Sequence, residues 1–260
     1  MLHQAKFRNS YRGVLFLGQT SLFNILKARP KVFFDRCRVF FTHLVEESAL
    51  SQNQIKCLNS LEKIFTMNRL SKQILEAVGV KTSISVVYGA VDQTLFNPYH
   101  SDISNKYVLI SCVCAPRKNP EGLINFIESN PKTKFIIHGN NWSKYKKLRF
   151  ENLEILNFSY QKQPKLMRDA SAFMSYSWFE GGPFPVLEAL ASGTPVLATR
   201  TGFAPDLVDI SNGRIIESGD SLFTIQTKLK ECMELKELVK SKNLLAVNLT
   251  WELLANSLYN

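Results

Sequence analysis

Two glutamates, Glu180 and Glu188, lie on either side of a stretch rich in glycine and proline. Gly181 and Gly182 let the backbone approach a ligand closely, and the free N–H groups and positive dipole end of a helix favour a phosphate. A carboxylate beside a phosphate is electrostatically unfavourable, so we expect the two glutamates to accept hydrogen bonds from sugar hydroxyls. The spacing therefore predicts a site that takes a phosphate and hydroxyl groups together.

A strand and a helix must position these glutamates. The apolar run 172–176 ends shortly before Glu180, and a helix is predicted from about Pro185, because proline fits a first turn and Gly193 follows the helix end. From residue 107 onward strands and helices alternate, which indicates parallel βαβ units in a doubly wound α/β sheet. The predicted strands are 107–111, 134–138, 153–157, 172–176, 195–199 and 214–216, and the predicted helices are 121–128, 162–169 and 186–192. Such sheets bind ligands at the carboxyl ends of their strands.

The string EGGPFPVLEALASGTPV, residues 180–196, resembles the donor-site signature of the large retaining GT-B glycosyltransferases called group 1, with its Glu-x7-Glu motif. Similar stretches flank it: residues 64–98, 107–127, 152–158, 201–208 and 250–259. The similarity covers about residues 60–260 and, less closely, 38–46. It implies a GT-B-like α/β fold of two Rossmann-like domains, the N-terminal one reduced and the C-terminal one a doubly wound parallel sheet.

The resemblance also implies roles for individual residues. Glu188 matches the carboxylate that holds the ribose hydroxyls of the nucleotide, Glu180 matches the one that contacts the transferred sugar, and Lys118 matches the lysine that neutralises the diphosphate. Backbone groups of the stretch between the glutamates are expected to approach the sugar and the diphosphate, although prolines donate no hydrogen bond. These donor-binding residues are Gly181, Gly182, Pro183, Phe184 and Pro185.

One position departs from the family pattern. The family usually has an arginine five residues before the lysine, in a Gly-Arg pair, whereas this chain has Cys112 and Val113 there. Arg117, next to Lys118, is the candidate replacement for the missing charge. The alternative for this Arg-Lys pair is a solvated loop.

His43 follows the apolar run RVFFT and is a candidate on the acceptor side. In the family, a histidine after the corresponding strand often lines that side of the cleft, and strand ends commonly carry functional residues. The alternative is a structural histidine without a catalytic role.

The polar, turn-rich stretch 97–106 predicts a boundary between two domains. Residues 1–97 would form a reduced acceptor-side α/β domain. Residues 98–260 would form the Rossmann-like domain that binds the nucleotide sugar, with a closing C-terminal helix. The family's first domain is usually longer and opens on a glycine-rich loop, so the acceptor half is reduced here.

Charge and cysteine usage restrict the partners. Residues 1–38 carry eight Lys or Arg and one Asp, which suits peripheral contact with an anionic membrane or a phosphate-bearing acceptor, or a solvated surface. No motif for nucleic acid is found. The five cysteines form no CxxC pair, so no metal site is predicted. No apolar leader or run long enough to span a bilayer is found, which predicts a cytoplasmic protein, with the membrane contact peripheral.

The resemblance predicts a glycosyltransferase that moves a sugar from a nucleotide-diphosphate donor to a glycan, lipid or protein acceptor. The resemblance implies retention of configuration, no metal and no other cofactor. The diphosphate would be stabilised by Lys118, Arg117 and a helix terminus. The alternative is a non-catalytic or partner-dependent relative that binds the donor or acts as a scaffold, as the shortened first domain and Val113 suggest.

Overall fold

The computed structural model describes residues 14–17, 22–24, 37–42, 45, 50–99, 106–148, 150–242 and 249–259. The chain divides into two compact units, Met1–Tyr88 and Gly89–Asn260. In the described part, no helix is both long and apolar enough to cross a membrane.

The first unit contains a parallel sheet of four strands in the order β1-β2-β3-β4. The strands are β1 (Val14–Leu17), β2 (Cys37–Phe41), β3 (Lys63–Thr66) and β4 (Ile84–Val86). Two helices, α1 (Gln52–Leu58) and α2 (Arg69–Ala77), begin at the side-chain caps Ser51 and Asn68. Residues of both helices pack with the strands in one apolar core, as a βαβ arrangement requires.

The second unit is built on six parallel strands in the order β10-β9-β8-β5-β6-β7. The strands are β5 (Tyr107–Ser111), β6 (Lys134–His138), β7 (Leu153–Leu156), β8 (Ala172–Ser175), β9 (Val196–Thr199) and β10 (Gly213–Ile216). All five residues of β5 are buried, because helices cover both faces of the sheet. The chain runs outward from β5 to β7, returns to β8 and then continues to β10. The strand order therefore reverses between β5 and β8, which is where a doubly wound sheet opens a crevice for ligands.

In the part of the second unit that the structure describes, seven α-helices accompany this sheet. They are α3 (Pro120–Glu128), α4 (Gln163–Asp169), α5 (Phe184–Ala191), α6 (Ala204–Leu207), α7 (Leu222–Glu234), α8 (Lys236–Lys242) and α9 (Trp251–Tyr259). Helix α5 follows β8, as the sequence predicts, and α4 begins at the carboxyl-end side of β7.

The first unit ends at Tyr88, nine residues before the predicted boundary at residue 97. The segment that follows Tyr88 belongs to the second unit. Its backbone explains this, because the N–H of Val91 donates to the carbonyl of Leu249 at 2.9 Å. In addition, the ring of Phe96 packs edge-on against that of Tyr160.

Candidate active site

The loop between β8 and α5 carries Glu180 at the reversal point of the sheet. The N–H of Glu180 donates to the hydroxyl of Thr201 at 2.9 Å, and the N–H of Trp178 donates to the carbonyl of Arg117, also at 2.9 Å. These bonds tie the loop to the segment after β9 on one side and to the segment after β5 on the other. The Glu180 side chain is consequently buried, with 5% of the residue exposed.

Gly202 lets the neighbouring segment approach this loop. Its φ is +58°, and a Cβ there would lie 2.9 Å from the carbonyl oxygen of Gly181 and 3.0 Å from that of Glu180. Only glycine adopts this conformation at no cost and leaves the space that the loop occupies. The position of Glu180 thus depends on a residue outside the motif.

Two cations hold the carboxylate of Glu180. Lys118 Nζ contacts Oε1, and Arg117 Nη1 donates to Oε2 at 2.8 Å. The Lys118 side chain is 12% exposed, whereas that of Arg117 is 51% exposed. A buried carboxylate must be paired, and this pairing places two positive charges at the crevice. Arg117 therefore reaches the Glu180 carboxylate, while about half of its side chain stays exposed to solvent.

A tight turn brings both cations to this position. Residues Pro116–Lys118 form one 3₁₀ turn after β5, and Asn119, with a φ of +52°, ends the turn and caps α3 by accepting from the N–H of Gly122. The preceding loop packs closely on the end of β6, where a Cβ on Gly139 would lie 1.8 Å from the carbonyl oxygen of Cys112. Trp142 Nε1 donates to that same carbonyl at 2.9 Å. The turn is therefore fixed from both ends.

The predicted backbone cradle lies at the start of α5. Pro183 precedes the helix, Phe184 is its first residue and Pro185 its second, so Phe184 supplies the N–H that the prolines lack. Gly181 and Gly182 are half-buried in the loop before the helix. The Phe184 ring is partly exposed and stacks on that of Trp251, with 6.5 Å between the ring centroids. These five residues form the connection from Glu180 into the first turn of α5.

Glu188 lies one turn further along α5 and has different neighbours. Its Oε2 accepts a hydrogen bond from Nε2 of Gln163, the first residue of α4, at 3.0 Å. Burial raises the pKa of the Glu188 carboxyl, and the hydrogen bond from Gln163 opposes that rise. Oε1 of Glu188 has no hydrogen-bond partner among the described residues, so it can accept a bond from a ligand.

A narrow cleft lies at the ends of β5 and β8. Its lining includes Ser111, Lys118, Ser177, Pro183 and Pro185. It therefore brings the cationic turn and the start of α5 to one crevice, as expected at the point where strand order reverses.

Sequence reasoning missed several residues of the site. Gln163, His138 and Ser111 form a buried polar group beside Glu188, and Thr201 and Gly202 position Glu180. One signal was present, because Ser111 and His138 each end an apolar strand at the carboxyl edge of the sheet. Nothing in the local pattern singles out Gln163 or Thr201.

Two predictions fall where the structure gives little or no description. His43 lies outside the described residues, and so does most of the basic segment 1–38. Within the described ranges, no group of three or more His, Cys, Asp or Glu side chains is arranged to hold a metal ion.

Comparison with known proteins agrees with the geometry. The family model for glycosyl transferases group 1 matches residues 92–244. The MMP alpha-(1->4)-mannosyltransferase of Mycolicibacterium hassiacum is 26% identical over an alignment of 136 residues, which covers 48% of this chain and 33% of that protein. The chain thus spans about a third of the length of this curated relative.

Solved structures share the fold at low sequence identity. Sucrose-phosphate synthase from Thermosynechococcus elongatus superposes with a TM-score of 0.77 at 12% identity, over 96% of this chain and 72% of that one. The Anabaena protein HepE, solved in complex with UDP-glucose, gives 0.72 at 18% identity, over 94% and 77%. These structures confirm the predicted GT-B-like arrangement of parallel α/β sheets.

Proposed function

Since the chain belongs to the group 1 glycosyltransferase family, we propose that it transfers a sugar from a nucleotide-diphosphate donor to a glycan or lipid-linked acceptor, with retention of configuration. The observation that carries this proposal is the convergence of Glu180, Lys118 and Arg117 beside the start of α5. This arrangement puts a carboxylate, two cations and a helix terminus at one crevice.

Glu188 is proposed to bind the ribose of the donor. Its Oε2 is held by Gln163 while Oε1 is available, so a ribose hydroxyl can donate to it. The loop with Gly181 and Gly182 would then lie along the diphosphate, where the N–H of Phe184 and the helix dipole favour negative charge.

Lys118 and Arg117 are proposed to exchange partners when the donor binds. In the structure both cations contact Glu180. A diphosphate offers them more negative charge, and its entry would release the Glu180 carboxylate to accept from a sugar hydroxyl. When the bond between the anomeric carbon and the diphosphate oxygen breaks, the same cations stabilise the charge on the leaving group.

We also propose that this charge stabilisation needs no metal and no other cofactor, because two side-chain cations already reach the site. Transfer activity should then survive EDTA. Loss of activity in EDTA, with recovery on adding manganese, would contradict the proposal.

For the acceptor we propose a chemical class, a glycan or a lipid-linked sugar. The basic segment 1–38 suits a membrane that presents lipid-linked acceptors, and His43 is the residue proposed to line the acceptor side. Binding to anionic vesicles should exceed binding to neutral ones and should fall steeply with salt. Equal sedimentation with both kinds of vesicle would remove the membrane from the proposal.

A second candidate is a transferase that needs a partner for turnover. It is favoured by Val113, which is an exposed apolar side chain where the family usually has an arginine. Such a chain would bind donor alone but transfer slowly. Turnover of the purified chain near the roughly 10 per second typical of enzymes would contradict this candidate.

The test is a panel of nucleotide sugars, beginning with UDP-glucose because the HepE structure contains it. Release of nucleotide diphosphate is measured for the chain and for Glu188→Ala. Glu154→Ala is the matched control, because Glu154 is half-exposed on β7 and pairs with Lys134 away from the site. Release that Glu188→Ala abolishes and Glu154→Ala leaves unchanged supports the proposal, and equal release by both variants contradicts it.

A further inference from the structure

Three buried polar side chains form a chain of hydrogen bonds that ends at Glu188. His138 Nδ1 lies 2.6 Å from Oε1 of Gln163, and Gln163 Nε2 donates to Glu188 Oε2 at 3.0 Å. The hydroxyl of Ser111 lies 3.1 Å from Oε1 and 2.8 Å from Nε2 of the same amide. His138 is fully buried and Gln163 is 1% exposed, so this hydrogen bonding is shielded from water.

The backbone determines which way these bonds run. Nε2 of His138 accepts from the N–H of Ser159 at 2.9 Å, and a backbone N–H can only donate. The neutral ring therefore carries its hydrogen on Nδ1 and donates to Gln163 Oε1. Because one end of the amide is fixed as the acceptor, the other end, the NH₂ group, must point towards Glu188.

The imidazole is itself held in place. Its ring stacks on that of Phe158, with 5.1 Å between the centroids and 30° between the planes. The end of β6, the loop after β7 and the start of α4 each supply one group of the chain of hydrogen bonds. None of these three residues, His138, Ser159 and Gln163, belongs to the Glu-x7-Glu motif.

We propose that Gln163, oriented by His138, is a positioning residue that fixes the rotamer and the charge of Glu188, so that Oε1 faces the ribose of the donor. The inference rests on the proposed function, since it assumes that Glu188 binds ribose. Gln163 occupies one oxygen with a donor, which leaves the other as an acceptor and favours the ionised carboxylate. Burial, together with the negative charges of Glu188 and Asp92, raises the pKa of the Tyr160 phenol.

The first experiment needs no ligand. In ¹⁵N NMR spectra, His138 should show a protonated Nδ1 and an unprotonated Nε2. In Gln163→Met, which keeps the length of the side chain and loses its donor, the pKa of Glu188 followed by ¹³C NMR should rise above the wild-type value. A hydrogen on Nε2, or an unchanged Glu188 pKa, overturns the inference even if the protein never turns over.

The second experiment measures coupling to the ribose. UDP, GDP and ADP are titrated, and the tightest binder is compared with its 2′,3′-dideoxy form. In the wild type, removal of the hydroxyls should weaken binding about tenfold or more, since a bond to a carboxylate is lost. In Gln163→Met the natural nucleotide should bind about tenfold more weakly, and the two forms should bind nearly alike.

Control variants separate positioning from folding. Thr194→Val breaks the buried bond from Thr194 to the carbonyl of Met167, near the other end of α4, and should leave discrimination by the ribose intact. His138→Phe should reproduce the Gln163→Met effect, whereas His138→Asn, whose amide can donate near the Nδ1 position, should restore part of the affinity.

The outcomes are distinguishable. If the wild type binds both forms of the nucleotide equally, or binds none of the three nucleotides, the ribose role of Glu188 fails, and with it the proposed function. If the wild type discriminates and Gln163→Met discriminates just as well, only the positioning inference fails.

Discussion

The two motif glutamates flank the start of α5 along the chain and are held in opposite ways. Glu180 is paired directly with the cations Lys118 and Arg117, whereas Glu188 is held by the neutral amide of Gln163. The difference follows from what each carboxylate is proposed to contact. In the proposed complex, Glu180 keeps cations where the diphosphate would bind, and Glu188 keeps an oxygen where the ribose would bind.

Each arrangement solves the same problem, because an ionised carboxylate out of water must have a partner. An ion pair can exchange one anion for another, so the Glu180 side can respond to the arrival of a diphosphate. A hydrogen bond from an amide only orients, so the Glu188 side is prepared before the donor arrives. The following predictions test this contrast.

The largest effect is expected for Lys118→Met. The variant removes the more buried of the two cations and leaves the developing charge of the leaving group without its main partner. Donor turnover should fall by about 10²–10³-fold, the range found when a preorganised charge-stabilising group is removed. Lys118→Arg should retain more activity, and Lys144→Met, at an exposed lysine paired with Glu121, should retain it all. Full turnover by Lys118→Met would contradict the proposal that the cations paired with Glu180 stabilise the leaving group.

The next prediction separates the two carboxylates. Glu188→Ala should weaken binding of a nucleoside diphosphate by about ten- to a hundredfold, since a bond to a charged group contributes about 1.5–3 kcal/mol. Glu180→Gln should leave that affinity nearly unchanged and should reduce transfer of the sugar. Calorimetric titration measures the first effect and product release the second. An equal loss of nucleotide affinity in both variants would show that the glutamates do not divide the work in this way.

A smaller effect is expected from Gly202→Ala, which acts on the Glu180 side alone. Alanine would have to adopt the left-handed φ of +58° found at this position, and its Cβ would press on the carbonyl oxygens of Gly181 and Glu180. The cost should be about 1–3 kcal/mol in the free energy of unfolding, measured by urea denaturation. Gly219→Ala is the control, because no atom lies within 4 Å of a Cβ there. Equal stability of the two variants would show that the loop relaxes around the methyl group.

Much of the second unit, Gly89–Asn260, is predictable from its sequence, because its strands are nearly continuous apolar runs. The predicted strands 107–111 and 134–138 match β5 and β6, and Lys118 lines the cleft at the ends of β5 and β8. Local patterns suffice here since each strand is buried on both faces.

The remainder depends on sheet order, which local patterns do not contain. Gln163 is 52 residues from Ser111 and 25 from His138, and the three meet only because β5 and β6 are neighbours with α4 above their ends. The difference between the predicted boundary at residue 97 and the observed one after Tyr88 has the same origin. It depends on the hydrogen bond between Val91 and Leu249, which are far apart in the sequence.

The smallest effect is expected for Arg117→Met, the second cation on Glu180. Its guanidinium is about half exposed, so solvent screens its charge, and an exposed ion pair typically contributes about 0.2–1 kcal/mol. Turnover should therefore fall only about two- to fivefold, and Arg117→Lys should restore most of it. The measurement is turnover at low and high salt, since screening should reduce the difference between variant and wild type. A loss as large as that of Lys118→Met would mean that Arg117 enters the closed site and fully replaces the arginine missing at Val113. In that case exposure in the empty site would not predict the contribution of a cation to transfer.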